Sequence, residues 1–207
     1  MGRVLGLKLG LMCFALDLLK GFVPTFVAGI YLGLSGKFMI APSEAWGWLM
    51  VLVSPVLGSM FCPWLGFKGG KGIAAGLGSL LGVFPVLTIS GACGFLTWCV
   101  TVRLTRYVGL ASILGACSLP VWVVIEYLAA SWLGFRSVSE GASAAGITAA
   151  GVTIKGIAAT ATPFVLLTAL LSALATIKHR ANIKRMRAGT EPRVNWFDAR
   201  KAEPAVK

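Results

Sequence analysis

Charged residues are scarce in this sequence: they make up 13% of its 207 positions, against roughly 25% in a soluble domain. The chain has seven acidic residues and one histidine, and it shows no zinc-ligand set, Ser-His-Asp order or dinucleotide-binding fingerprint. The five cysteines lie in apolar segments without metal-type spacing, and we interpret them as small buried hydrophobic residues. These absences argue against a soluble domain and against the familiar metal, triad and nucleotide sites.

Hydrophobic residues, by contrast, make up 57% of the chain, and the net charge is +12. A helix needs about 20 apolar residues to cross a bilayer. We therefore expect an all-α, polytopic membrane protein with a single domain over 1–194 and a disordered cytoplasmic tail over 195–207. The apolar runs predict four full spans at 9–34, 46–65, 107–133 and 157–177.

Segment 72–102 is predicted to differ from these spans. Its start is rich in Gly and Ala, and Pro85 then interrupts it, which favours a broken or re-entrant helix pair. If 72–102 enters and leaves the membrane on the same side, fifteen of the nineteen Lys and Arg residues lie on that side, as the positive-inside rule requires of the cytoplasm. The small-residue segment 137–156 is expected to be a flexible external connector.

The glycine-rich loop Phe67-Lys68-Gly69-Gly70-Lys71-Gly72 is the strongest candidate for chemistry. Glycines let several backbone N–H groups approach an anion, and the lysines add positive charge, so the loop fits a phosphate-bearing ligand at a bilayer surface. The alternative is a tight solvated turn whose lysines reach the interface. The spacing is not that of a Walker motif, so a nucleotide is not predicted.

Other polar residues form pairs at helical spacing. Asp17 and Lys20, three apart in an apolar span, share a helix face and form either a structural ion pair or a pair that lines a substrate site. His179 and Asn182 also share a face and either act on a carbonyl by hydrogen bonding or acid–base chemistry, or are solvated interfacial residues. Arg106 is either a phosphate clamp or an ordinary membrane anchor.

Four stretches of the chain resemble the acyl-phosphate-dependent glycerol-3-phosphate acyltransferase family of bacteria. In chain order they are Leu16-Asp17-Leu18-Leu19-Lys20-Gly21, Gly66-Phe67-Lys68-Gly69-Gly70-Lys71-Gly72-Ile73-Ala74, Arg106-Tyr107-Val108-Gly109-Leu110-Ala111-Ser112-Ile113, and His179-Arg180-Ala181-Asn182-Ile183-Lys184-Arg185 with Ala188-Gly189-Thr190-Glu191. The glycine-rich stretch is quite specific, and the order and rough spacing of the four agree with the family.

The resemblance implies transfer of a fatty acyl group from acyl phosphate to the 1-hydroxyl of sn-glycerol 3-phosphate, which gives lysophosphatidic acid and phosphate. This reaction is the first acylation of phospholipid synthesis. It would occur among the lipids of a bacterial inner membrane, with the active site facing the cytoplasm. The resemblance implies no cofactor, metal, acyl-CoA, acyl carrier protein or nucleic acid. It does imply a functional partner, the soluble phosphate acyltransferase that makes the acyl phosphate.

The resemblance also implies roles for individual residues. The expected catalytic residues are His179 and Asn182. Substrate and phosphate binding is expected from Lys68, Gly69, Gly70, Lys71, Gly72, Lys20, Arg106 and Ser112. Two acidic residues, Asp17 and Glu191, are expected to support the site, and Asp17 would orient Lys20. The position of Glu191 in a basic segment, taken alone, predicts an ion pair with a nearby arginine, which would be worth little if exposed.

Two departures from the family pattern bear on activity. Family members begin with a further span and a Ser-Gly-Asn-(Ile/Val)-Gly-Ala-Thr-Asn motif, whereas this sequence begins at Met1 with residues that resemble those just after that motif. Ser59 stands where the family usually has histidine, and serine cannot replace histidine as an acid, base or cation. We therefore expect the 207-residue chain to be inactive or weakly active, and a chain extended upstream to be active.

The residues alone leave other functions open. One is a non-catalytic paralogue that binds acyl phosphates or lipids. Another is a small transporter component that uses Asp17 and Lys20 as an intramembrane relay. Nucleic-acid binding by the basic tail is the weakest alternative, because the tail is short and has few aromatic residues for stacking. The expected clustering of polar residues at one membrane face favours an interfacial enzyme.

Overall fold

The structure, a computed structural model, describes residues 2–67, 69–145 and 154–193, and the regular elements within these ranges are all helical. A single turn of 3₁₀ helix, Pro63–Leu65, follows the second α-helix. The seven α-helices are α1 Gly2–Tyr31, α2 Pro42–Met60, α3 Ile73–Gly82, α4 Val86–Thr105, α5 Val108–Ala145, α6 Ile154–Lys178 and α7 Arg180–Arg187. The predicted all-α class is confirmed. The tail predicted at 195–207 lies outside the described residues.

Within the described residues, four helical segments are long and apolar enough to cross a membrane. They are Lys8–Tyr31, Val86–Thr105, Val108–Ala130 and Ala158–Lys178. The number agrees with the prediction, but one member differs. We predicted a span at 46–65, where α2 carries Ser43 and Glu44 in its first turn and is not among the four. In its place stands α4, which we had assigned to the re-entrant pair.

The predicted break in segment 72–102 is confirmed. The short helix α3 ends at Gly82, and α4 begins at Val86 after Pro85. The backbone N–H of Gly36, in the α1–α2 loop, donates to the Phe84 carbonyl at 3.0 Å. The break therefore lies at the same end of the bundle as the α1–α2 loop. The first residue of α3 and the last residue of α4 both lie at the opposite end.

The helix α3 packs tightly on α1 because both helices present small residues at the crossing. A Cβ atom on Gly78 would lie 1.9 Å from the Leu18 carbonyl oxygen, so the two backbones are in direct contact there. Further along α1, the indole N–H of Trp48 in α2 donates to the Thr25 carbonyl at 2.8 Å. These contacts hold α1, α2 and α3 together around the middle and the end of α3.

The helix α5 continues further than predicted. It has 38 residues, about 57 Å at the α-helical rise per residue, which exceeds the roughly 30 Å of a hydrocarbon core. The prediction of a flexible loop at 137–156 is therefore wrong for 137–145 and for 154–156, which are helical. Alanine and serine at these positions permit a helix as readily as a loop. Residues 146–153 lie outside the described part of the chain.

Candidate active site

One cavity of about 930 Å³ runs between the helices from one end of the bundle toward the other. Its wall changes character along this direction. Five ionisable or amide side chains lie together in what we call the polar end, formed by Lys71, His179, Asn182, Arg185 and Glu191. Apolar side chains and glycines make up most of the remaining wall. We call this part the apolar arm, which includes Leu80, Gly91, Phe95, Trp98, Leu119 and Leu171.

The glycine-rich loop lies at the polar end and is held against the end of α2. A Cβ atom on Gly69 would lie 2.4 Å from the Ser59 carbonyl oxygen, so only glycine allows this approach. Gly72 has φ +70°, which favours glycine, and it leads directly into α3. The first residues of α3 line the cavity, so the partial positive charge of this helix N-terminus faces the same space as Lys71.

A chain of hydrogen bonds joins this loop to the C-terminal segment. The Lys71 ammonium donates to Asn182 Oδ1 at 2.5 Å, and Asn182 Nδ2 donates to Glu191 Oε1 at 2.6 Å. Glu191 Oε2 accepts from Arg185 Nε at 2.7 Å, which confirms the expected pairing of Glu191 with an arginine. Residues far apart in the sequence are thus fixed in one network.

Two ionisable groups in this network, Lys71 and Glu191, have shifted pKa values. Burial lowers the pKa of the Lys71 ammonium group below its usual value, Glu191 opposes this shift, and Arg185 adds to it. Burial alone would raise the pKa of Glu191, but the hydrogen bonds from Arg185 and Asn182 outweigh it and hold that pKa below its usual value. Glu191 is therefore ionised at neutral pH and accepts both bonds as a carboxylate.

His179 lies between α6 and α7 and is 1% exposed. Its Nδ1 is 2.8 Å from the Ala175 carbonyl oxygen, and because a carbonyl only accepts, Nδ1 carries the proton and Nε2 is an acceptor. Burial is the largest influence on the pKa of this imidazole and lowers it. The hydrogen bond to Ala175 and the charge of Glu191 oppose this shift, the charge of Lys71 adds to it, and the net pKa shift is downward. The residue is a neutral base in the cavity wall.

Asp17 and Lys20 line the same cavity from α1, and the Lys20 ammonium lies 2.5 Å from the Asp17 carboxylate. Their predicted shared face is confirmed. Ser112 lines the cavity on α5, where its hydroxyl donates to the Val108 carbonyl at 2.9 Å and accepts from Trp98 Nε1 at 3.3 Å. Its hydrogen-bonding capacity is thus largely used within the protein.

Two predicted binding residues are not placed in the cavity. Lys68 lies outside the described residues. Arg106 ends α4 with φ +62°, is exposed, and is not among the described residues that line the cavity. Its phosphate-binding role stays a prediction. Ser59 does line the cavity, and its hydroxyl is buried without a hydrogen-bond partner in the described chain.

Two contributors were missed in the sequence. Arg185 lies three residues after Asn182, so its helical spacing could have placed it on the same face. Gly109 packs against the Asn182 amide: a Cβ atom there would lie 2.6 Å from Nδ2. No local pattern around Gly109 reveals this contact, because it joins α5 to α7.

Comparison with known proteins agrees with this geometry. The sequence profile of the family described as "Glycerol-3-phosphate acyltransferase" matches residues 1–189. A glycerol-3-phosphate acyltransferase of Listeria monocytogenes is 28% identical over 94% of this chain and 76% of its own length. That of Geobacter sulfurreducens is 31% identical over 92% of this chain and 75% of its own length.

Two crystal structures of PlsY, described as an integral membrane glycerol 3-phosphate acyltransferase, are similar in fold. The glycerol 3-phosphate form matches with a TM-score of 0.65 and 27% identity over 95% of this chain and 76% of PlsY. The lysophosphatidic acid form matches with a TM-score of 0.66 and 28% identity over 95% and 78%. With its membrane helices and the profile match over nearly its whole length, the chain belongs to the glycerol-3-phosphate acyltransferase family and is an integral membrane acyltransferase.

Proposed function

We propose that the protein transfers a fatty acyl group from acyl phosphate to the 1-hydroxyl of sn-glycerol 3-phosphate, giving lysophosphatidic acid and phosphate. One observation carries this proposal: a single cavity joins a cationic polar end to a long apolar arm. Both substrates carry phosphate, and one also carries an alkyl chain. A cavity of about 930 Å³ is within the usual range for small-molecule sites, roughly 300–1,000 Å³.

Phosphate binding is assigned to Lys71, the backbone of Gly69 to Gly72 and the N-terminus of α3. Lys20 and Arg185 add positive charge to the same wall. Glu191 fixes Arg185 and Asn182, so these donors are held in place before the substrate binds. The glycerol 3-phosphate and lysophosphatidic acid forms of the similar PlsY structures support a substrate and a product of this chemistry.

The chemical step needs orientation more than activation, because acyl phosphate already has a good leaving group. The hydroxyl oxygen of glycerol 3-phosphate attacks the acyl carbonyl carbon, and the bond from that carbon to the phosphate oxygen breaks. In this proposal His179 Nε2 accepts the hydroxyl proton, which the departing phosphate then takes up. Asn182 and Lys71 stabilise the developing negative charge. No covalent acyl-enzyme is required.

The polar end is assigned to the cytoplasmic side of a bacterial inner membrane. Lys71 and the basic helix α7 meet at this end. Tyr107, in the turn between α4 and α5, is also there, because its hydroxyl accepts a hydrogen bond from Arg193 Nε at 3.0 Å. This gathering of basic residues follows the positive-inside rule. A soluble phosphate acyltransferase in the cytoplasm would then supply the acyl phosphate.

The donor can be tested directly. The protein is purified into lipid nanodiscs, both as the 207-residue chain and with any span encoded immediately upstream. Radiolabelled glycerol 3-phosphate is then supplied with acyl phosphate, acyl-CoA or acyl carrier protein bearing the same acyl chain. We expect labelled lysophosphatidic acid from acyl phosphate alone, and a large loss of rate, about 10²–10⁴-fold, in His179→Ala.

Other outcomes would redirect the assignment. Transfer from acyl-CoA but not from acyl phosphate would overturn the proposed donor. Binding of acyl phosphate without turnover in both forms of the chain would indicate a non-catalytic lipid-binding protein. Full activity in both His179→Ala and Asn182→Ala would overturn the proposed catalytic roles.

A further inference from the structure

The apolar arm has a defined floor. Four helices contribute to its wall, and each has a last lining residue on the side away from the polar end: Leu80 in α3, Gly91 in α4, Leu119 in α5 and Leu171 in α6. Contacts between neighbouring helices place Leu80, Gly91 and Leu119 within about one helical turn of one another in depth. A Cβ on Gly91 would lie 3.2 Å from Leu80 Cβ, and one on Gly94 would lie 2.7 Å from Leu119 Cδ2.

Beyond this floor the helices are packed together by buried core residues. About one turn beyond each of these four residues stands a residue that does not line the cavity and belongs to the buried core. These residues are Val83, directly after the end of α3, Leu87 in α4, Val123 in α5 and Leu167 in α6. The first three are 0% exposed and the fourth is 4% exposed. The interior of proteins is packed without spare volume, so a chain that follows the axis of the arm cannot continue past the floor.

The depth of the apolar arm follows from the separation of two lining residues along α5. Gly109 contacts Asn182 at the polar end, and Leu119 stands at the floor, ten residues later on the same helix. At the α-helical rise of about 1.5 Å per residue this separation is about 15 Å. An extended chain advances about 1.2 Å per single bond, because one residue of three bonds spans at most about 3.6 Å. The arm therefore takes about 12 carbons along its axis by the same geometry.

We infer that the floor formed by Leu80, Gly91, Leu119 and Leu171 sets the acyl-chain length that this enzyme prefers. The inference rests on the proposed function, because it assigns the apolar arm to the alkyl chain of the acyl donor. Leu171 is the best position for a test. It is partly buried, packs against the core from one side and lines the cavity from the other, so a larger side chain there extends into the arm.

The test uses two substitutions of opposite effect and one matched control. Leu171→Phe makes the arm shallower and Leu171→Ala makes it deeper. Leu170→Phe introduces the same side chain at the neighbouring position, which is 64% exposed on the outer surface of α6. Values of kcat/KM are measured for acyl phosphates over a series of chain lengths, and Kd values for acyl phosphonates, which cannot transfer their acyl group, over the same series.

Leu171→Phe should shift the preference toward shorter chains by lowering kcat/KM about fourfold for each methylene that no longer fits. Leu171→Ala should shift it toward longer chains, and Leu170→Phe should match the unsubstituted protein.

An equal loss at all lengths in Leu171→Phe, or a shift in Leu170→Phe, would overturn the inference. If the phosphonate series shifts while no acyl transfer occurs, the floor is correct and the proposed reaction is wrong. If transfer occurs with an unchanged length profile, the floor is wrong and the reaction stands.

Discussion

Asn182 uses both ends of its amide group, and this explains why its side chain is fixed. Its oxygen accepts from Lys71 and its nitrogen donates to Glu191, so the amide can have only one orientation. Because a carboxylate has no donor, aspartate at this position would break the second bond and place two negative charges together. The orientation of the amide in turn sets the position of the Lys71 ammonium beside the cavity.

His179 is the only histidine, so its titration can be assigned without ambiguity. Its pKa in the folded protein is lowered from 6.5, so the folded state holds the imidazole neutral where the unfolded chain would bind a proton. The stability that this group contributes is present above pH 6.5 and is lost as the pH falls from 6.5 toward its lower folded-state pKa. We therefore predict that thermal stability in detergent decreases with acidification over this window, by up to about 1.4 kcal/mol per pH unit.

The matched variant His179→Gln should lack this part of the pH dependence, while the remainder of the curve is unchanged. Melting temperatures of both proteins across the window measure the difference without any substrate, whose own phosphate would titrate nearby at about pH 6. Parallel curves for the two proteins would show that the imidazole does not have the lowered pKa.

At the level of single residues, helical spacing was informative where both partners are close in sequence. The pairs Asp17–Lys20 and His179–Asn182 were predicted to share faces, and the first is joined by a direct ion pair. Spacing could not place Arg106, whose positive φ turns it at the end of α4. That conformation depends on the turn into α5, which no pattern of residue types in this segment reveals.

At the level of elements, the glycine-rich loop combines two different requirements. Gly69 lies against the end of α2, whereas a Cβ on Gly70 would meet no atom within 4 Å. We predict that Gly69→Ala lowers the melting temperature by several degrees, since it forces the loop away from α2 at a cost of about 1–3 kcal/mol. Gly70→Ala should leave the melting temperature unchanged. Thermal unfolding of the two variants in the same nanodiscs tests this, and equal effects would contradict the close approach at Gly69.

The elements themselves were only partly predictable. Pro85 after a Gly/Ala-rich stretch indicated the break between α3 and α4, because proline cannot continue a helix hydrogen-bond ladder. The apolar run 46–65 suggested a full span, but α2 carries the polar residues Ser43 and Glu44 in its first turn and ends at Met60, and it is not among the described helices that are long and apolar enough to cross a membrane. The helix α4 meets this condition over Val86–Thr105. The difference depends on where each helix begins and ends, which the apolar runs alone do not show.

At the level of the whole molecule, charge was the strongest guide. The positive-inside pattern predicted that the glycine-rich loop, the α4–α5 turn and the basic C-terminal segment share one end, and their contacts confirm it. The contact between Lys71 and Asn182 spans 111 positions. Sequence periodicity reports only on neighbours within a helix, so this pairing could not be derived from the chain alone without the resemblance.

The orientation in the cell is a separate prediction. Lys37 lies exposed in the α1–α2 loop, and Arg187 lies exposed at the opposite end of the bundle. With the five native cysteines replaced, Lys37→Cys should react with a membrane-impermeant thiol reagent in intact spheroplasts, and Arg187→Cys only after permeabilisation. Labelling of Arg187→Cys in intact spheroplasts would reverse the assigned orientation.

The network between Lys71, Asn182 and Glu191 also has a consequence for the order of biosynthesis. Chains fold from the N-terminus as they leave the ribosome, so the helices up to α5 can enter the membrane well before residue 191 is made. Lys71 then stands without its partners until the last segment arrives and α7 closes onto the loop. Under the proposed mechanism, a nascent chain that already spans the bilayer is not yet an active enzyme, and ribosomes that stop early would release membrane-inserted products that cannot consume the acyl donor.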